Sequence, residues 1–98
     1  LLGLPDRDSY ITLLAGLIDV SLEDWKAAEP RLAAAAERLP QRTEAWMGLG
    51  HTRLALGDPE AAAQAYRRAL ELQPRNAAVW NDLGIANADM RRDHDAIA

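Results

Sequence analysis

Few side chains in this 98-residue sequence could do acid–base, metal or nucleophilic chemistry. The histidines are His51 and His94, and there is no cysteine. A helical zinc site needs a second ligand about four residues away, so that both fall on one face. His51 has neither a carboxylate nor a histidine at that spacing. His94 stands between Asp93 and Asp95, but successive residues of a helix point in different directions, which makes a solvated helix start the better reading. Ser9 and Ser21 are candidate nucleophiles, and the local pattern puts neither beside a base. Gly48-Leu49-Gly50 opens like a dinucleotide-binding loop, yet Arg53 occupies the third glycine's place and no strand precedes it. Lys26, the only lysine, follows no glycines, so a Walker-type phosphate loop is absent. We therefore expect no catalytic residue, no cofactor site and no metal site in these residues.

Charge narrows the partners. With 15 acidic and 11 basic residues the net charge is −4, where a nucleic-acid binder normally carries a basic excess. Arg67-Arg68 and Arg91-Arg92 read as solvated or helix-end charges. No apolar run approaches the roughly 18 residues of a membrane span. The absence of cysteine removes disulfides and thiolate metal sites. Together with the arginine-and-alanine bias it fits a bacterial protein. Half the residues are apolar but only 5% are aromatic. A core built largely of alanine calls for helices that approach closely.

What must position these residues is a repeat. Trp46 and Trp80 lie 34 residues apart, as do Pro40 and Pro74. Gly16, Gly50 and Gly84 keep that interval twice over, and so do Ala28, Ala62 and Ala96. A fixed period of this length marks stacked supersecondary units, none of which can bury its apolar face alone. Asp58-Pro59-Glu60 is a strong helix start: a capping acceptor, a proline at the first helical position and an acid at the positive end of the dipole. Gly57 before it suits a left-handed residue closing the preceding helix, and Thr43 and Asn76 are candidate caps. The signals predict helices over about 9–21, 24–39, 43–56, 59–72 and 76–90, with a further stub from about 93. Pro30, inside the second of these, is expected to bend it.

The pattern resembles the tetratricopeptide repeat, with its signature W-x2-L-G-x2-Y, then A-x3-F, then P. Trp46, Leu49, Gly50, Ala62, Tyr66 and Pro74 carry the match in the middle unit. Trp80, Leu83, Gly84 and Ala96 carry it in the third. The first unit keeps Gly16, Ala28, Leu32 and Pro40 but has Thr12 and Ala15 for the tryptophan and leucine. Asp19, Arg53 and Asn87 replace the aromatic that closes the first motif. The resemblance implies an all-α fold of stacked antiparallel helix pairs in a right-handed superhelix. Units fall at 9–42 and 43–76, with a truncated third at 77–98. Residues 1–8 form a tail, where Leu1, Leu2 and Leu4 before Pro5 hint at the end of a preceding helix. The sequence reads as part of a longer protein.

The resemblance also gives a reason for glycines inside helices, each costing about 1 kcal/mol relative to alanine. Gly50 falls where the two helices of its pair cross, with Ala62 and Ala65 suited to the close approach, and Gly16 and Gly84 stand in the same place. Gly48 lies outside the signature. Trp46 and Trp80 are expected to pack between neighbouring units, and Trp25 to pack as well. The concave side, lined by first helices, would carry Tyr10, Leu13, Leu17 and Val20, then Glu44, Met47, His51 and Leu54, then Asn81, Ile85, Ala88 and Asp89. Some relatives grip a chaperone's C-terminal carboxylate with basic residues and asparagines on this lining. Leu13, Leu17, Gly48, Ala78 and Asp82 hold those places here, so that clamp is missing. The function implied is a protein-interaction scaffold receiving a peptide or helix of another protein. The alternative is a non-catalytic repeat region of a larger enzyme such as a transferase. Apolar end faces could also drive homo-oligomers by end-to-end stacking.

Overall fold

The structure, a computed structural model, describes residues 6–97, with side chains through Arg92. Its described residues form five helices: α1 (Arg7–Ser21), α2 (Trp25–Arg38), α3 (Thr43–Ala55), α4 (Pro59–Leu72) and α5 (Ala77–Ile97). No strand occurs among them. α1 pairs with α2 and α3 with α4; α2 packs on α3, α4 on α5, and the first helices α1, α3 and α5 meet in sequence. The stack measures 53 × 28 × 19 Å.

Short polar side chains start most of the helices. Asp6 accepts from the Ser9 N–H at 2.8 Å, Asp58 from Ala61 N–H at 3.1 Å, and Asn76 from Val79 N–H at 3.3 Å. Each such cap contributes about 1 kcal/mol. Thr43, expected to cap α3, is instead its first helical residue, and Arg42 at the cap position makes no side-chain bond. The 34-residue register explains this: Arg42, not Thr43, is the counterpart of Asn76, and a guanidinium has no acceptor to offer.

The hairpin turns repeat as well. Glu23 and Gly57 both take left-handed backbone, with φ of 57° and 87°. The next N–H reaches back in each case, Asp24 to the Asp19 carbonyl at 2.8 Å and Asp58 to the Arg53 carbonyl at 2.9 Å. The third turn does not form. A stop near residue 90 and a new stub from 93 were expected, but α5 runs unbroken to Ile97. Arg91-Arg92-Asp93 replace Gly57-Asp58-Pro59 at this point. A left-handed arginine costs about 1–2 kcal/mol, where Gly57 takes that conformation freely. Helix α2 meanwhile passes through Pro30, whose ring lies on the exposed side.

Two cores hold the stack. Leu13, Leu32, Ala36 and Leu49 belong to the first, and Ala62, Tyr66, Ala69 and Val79 to the second. Trp46 packs against both, so it ties one unit to the next. Its indole N–H donates to the Pro40 carbonyl at 3.0 Å, and Trp80 repeats the bond to Pro74 at 2.7 Å. Trp80 is nevertheless 54% exposed, contrary to the expected packing; among the described residues no helix follows α5 to cover it.

The glycines divide in the same way. A Cβ on Gly50 would stand 2.5 Å from Tyr66 Cε1, and one on Gly16 would stand 2.7 Å from Leu32 Cδ2. The crossing expected at both is therefore real, although at Gly50 the nearest neighbour is an aromatic ring and not Ala62 or Ala65. Gly48 has a role too, since a Cβ there would meet Leu17 and Leu32 at 3.1 Å each. It is where α3 closes on the first unit. Gly84 corrects the expectation: among the described residues nothing lies within 4 Å of its Cβ position, and no helix there returns along α5.

Tyr66 is fully buried, and its hydroxyl has no partner among the described residues. Burial, and secondarily the Asp82 charge, push its phenol well above the usual range. An unpaired buried hydroxyl costs about 1–3 kcal/mol. Tyr66→Phe is therefore expected to hold or raise unfolding free energy, by up to about 1 kcal/mol in urea titration. A loss of more than that would show that the hydroxyl has a partner.

Candidate functional site

The face built by the first helices is the candidate site, and its lining is set by the 3.6-residue periodicity of α1, α3 and α5. In the first unit, Tyr10, Leu17 and Val20 are partly buried against the first core. Leu13 does not line the surface: at 5% exposure it belongs to the first core. The Arg42 guanidinium lies 5.1 Å above the Tyr10 ring, which closes that end of the face with a cation–π contact.

In the second unit, Met47 and Leu54 lean on the second core with part of each side chain open. Glu44 is exposed beside Arg42, at 3.8 Å. In the third unit, Asn81, Ile85 and Ala88 are exposed, and Asp89 is partly exposed and pairs with Arg92 at 3.0 Å. Leu54, Asp89 and Arg92 share a shallow pocket with Gly57 and Pro59. The surface is thus apolar and filled at the α1 end, and open and more acidic toward α5.

One contact joins the second and third units across this face. His51 Nε2 lies 2.8 Å from Asp82 Oδ2, and its ring meets Tyr66 edge-on at 5.7 Å between centroids. The carboxylate comes from another helix, 31 residues along the chain, so no local spacing could announce it. Neither candidate nucleophile reaches this pair. Ser9 bonds to Asp6 at 2.7 Å and Ser21 to the Ile18 carbonyl at 2.8 Å, both on α1. No group of three His, Cys, Asp or Glu is placed to hold a metal ion among the described residues. Asp93, His94 and Asp95 have no described side chains, so that candidate lies outside them.

Two further ion pairs were hidden from sequence reasoning. Asp19 meets Arg31 at 2.7 Å, and Arg53 meets Glu29 at 3.4 Å. Asp19 and Arg53 are the residues that replace the repeat's closing aromatic. Each now links its first helix electrostatically to α2. The replacement was legible, but its partner was not.

A stack of helix pairs offering a continuous face defines the helical-repeat class of proteins, whose units serve as protein-interaction modules. Family models described as tetratricopeptide repeat match residues 43–76 and 13–51, and the chain belongs to that family. The chain is 29% identical to human Protein O-mannosyl-transferase TMTC3 over 93 residues, 95% of its own length and 10% of that protein's. It is 28% identical to mouse Tetratricopeptide repeat protein 33 over 81 residues, 83% of its own length and 31% of that protein's. It thus spans a minor part of these relatives. Among solved structures, a mutant of MamA superposes with a TM-score of 0.85 at 24% identity, over 93% of this chain and 66% of that one. That likeness concerns the fold. No described helix is long and apolar enough to cross a membrane.

Proposed function

We propose that the face formed by α3 and α5 binds an extended or helical segment of a partner protein carrying apolar anchors and a basic residue. The observation that carries this reading is the pairing of open apolar side chains, Met47, Leu54 and the 44%-exposed Ile85, with the acids Glu44 and Asp89. Their ion pairs to Arg42 and Arg92 lie in solvent and exchange readily, whereas Asp82 is held by His51. Apolar anchors give such a contact its affinity, and the acids orient a cationic residue. The α1 end contributes less, since Leu13 is buried and Leu17 is taken up by contact with α3. The segment itself performs no chemistry in this reading, and nucleic acid is not among its partners.

Peptides selected from a random library against the whole chain would test this. Met47→Arg and Ile85→Arg are each expected to weaken the selected peptides at least tenfold, about 1.4 kcal/mol. Both side chains are partly open, so circular dichroism should remain that of the parent. Unchanged affinities in both variants would overturn the assignment of this face.

A second reading rests on the similarity to Protein O-mannosyl-transferase TMTC3, of which this chain matches a tenth. Here the repeats are an accessory region of a larger enzyme and hold its protein acceptor. A catalytic domain encoded in the same reading frame would favour it. The two readings share the binding face and differ in what it serves.

A further inference from the structure

The outer face of α1 carries a surface that the groove does not use. Ile11, Leu14, Ile18 and Leu22 are 54%, 60%, 57% and 71% exposed. At 100° per residue they fall within an arc of about 80°, and Arg7 extends the same stripe at its N-terminal end. Singly exposed aliphatics are ordinary, but three along the 15-residue α1, continued by Leu22 at its C-cap, make a row that marks an interaction surface.

The repeat register shows what this face is not. Positions equivalent to Ile11 are Ala45 and Val79, those equivalent to Leu14 are Gly48 and Asp82, and those equivalent to Ile18 are Thr52 and Ala86. Ala45, Gly48 and Thr52 are buried where α3 meets the preceding unit, and Val79 and Ala86 where α5 does. These residues are mostly small because the helices close tightly there. A Cβ on Gly48 would already meet two leucines at 3.1 Å. A leucine at that place on α1 would hold a helix farther out than α3 stands from the first unit. A solvated end would carry polar residues instead. The stripe fits a helix held farther out, with large side chains interleaving as in a coiled-coil seam.

We infer that this occupant is α1 of a second copy, packed antiparallel about a two-fold axis near Leu14. Ile11 of each copy then meets Ile18 of the other, and the two Leu14 side chains meet at the axis. The charges agree with this direction. α1 has no basic residue in its last turn, and in the antiparallel arrangement Arg7 of the other copy arrives there. It stands against the negative end of the helix dipole and beside the exposed Glu23. Arg7 forms no ion pair among the described residues, so it is available for this contact. A parallel arrangement would bring the two Arg7 side chains together. Four aliphatic side chains per copy make an interface at the small end of the specific range, below about 1,200 Å² in total. The dimer should therefore dissociate on dilution.

Sedimentation equilibrium of the whole chain across a wide concentration range reads this directly. The expected result is a reversible monomer–dimer equilibrium. Leu14→Glu should weaken it at least a hundredfold while the dilute protein keeps its helical content and melting temperature, because that side chain is open in the monomer. Arg7→Glu should weaken association several-fold, and Arg7→Glu combined with Glu23→Arg should restore it. A monomer at every concentration would overturn the proposal. A dimer indifferent to Leu14→Glu, or a charge exchange that fails to restore association, would do so too. Because Met47→Arg and Ile85→Arg lie on another face, they should leave the dimer intact, which keeps this test separate from that of the groove.

Discussion

Leu32→Ala is expected to lower unfolding free energy by about 2–5 kcal/mol, the range for truncating a buried leucine. The upper part of the range applies because of where Leu32 sits. It is fully buried on α2, its side chain fills the space at Gly16 on α1, and its Cδ1 would stand 3.1 Å from a Cβ on Gly48 of α3. Three helices therefore lose a contact at once. A side chain as small as alanine leaves a cavity that the short neighbours, among them Ala28, Ala35 and Ala36, cannot fill. For a chain of 98 residues, total stability is on the order of 5–15 kcal/mol. The variant should thus lose a large share of it and separate the unfolding of the first unit from the rest. Urea denaturation followed by circular dichroism measures the loss. A cost below about 1 kcal/mol would show that the first two units are not coupled through this side chain.

The second large effect concerns glycine at a crossing and glycine in the open. Gly50→Ala puts a carbon 2.5 Å from the ring of Tyr66, which is fully buried and has no room to retreat. Overpacking of this kind costs about 1–3 kcal/mol, and Gly50→Leu should cost more. Gly84→Ala makes the same chemical change 34 residues later, where nothing lies within 4 Å of the new atom. There only helix propensity counts, and stability should rise by roughly 0.5–1 kcal/mol. The two substitutions are expected to have opposite signs, which thermal or urea unfolding resolves easily. Gly50→Ala combined with Tyr66→Leu should recover part of the loss, because the shorter side chain vacates the crossing. Equal effects at Gly50 and Gly84 would mean that the helices of the second pair do not cross at Gly50.

Much of the architecture was readable because its causes are local or periodic. Asp58-Pro59 announces a helix start through the hydrogen bond it offers and the φ it fixes, and α4 begins there. Gly57 announces the left-handed turn, and its φ of 87° bears this out. The 34-residue interval announces stacking, since equivalent residues meet equivalent surroundings. The recurring indole bonds of Trp46 and Trp80 are an instance. The misreadings share a physical origin. Trp80 and Gly84 were assigned their counterparts' burial, but burial belongs to the partner helix that covers a residue and not to the residue. Position along the repeat puts Leu13 on the groove, whereas it is buried in the first core with Leu32 and Leu49.

The helices, their pairing order and the interval that stacks them follow from the chain alone, because capping, turn geometry and apolar period act over a few residues. The tertiary structure decided which surfaces stay open and which charges meet. His51 finds Asp82, Asp19 finds Arg31 and Arg53 finds Glu29 across gaps of 12 to 31 residues. It also decided that Ile11, Leu14 and Ile18 are left facing outward. Contacts between helices depend on how closely their backbones approach, and that distance is set by all the packed side chains together.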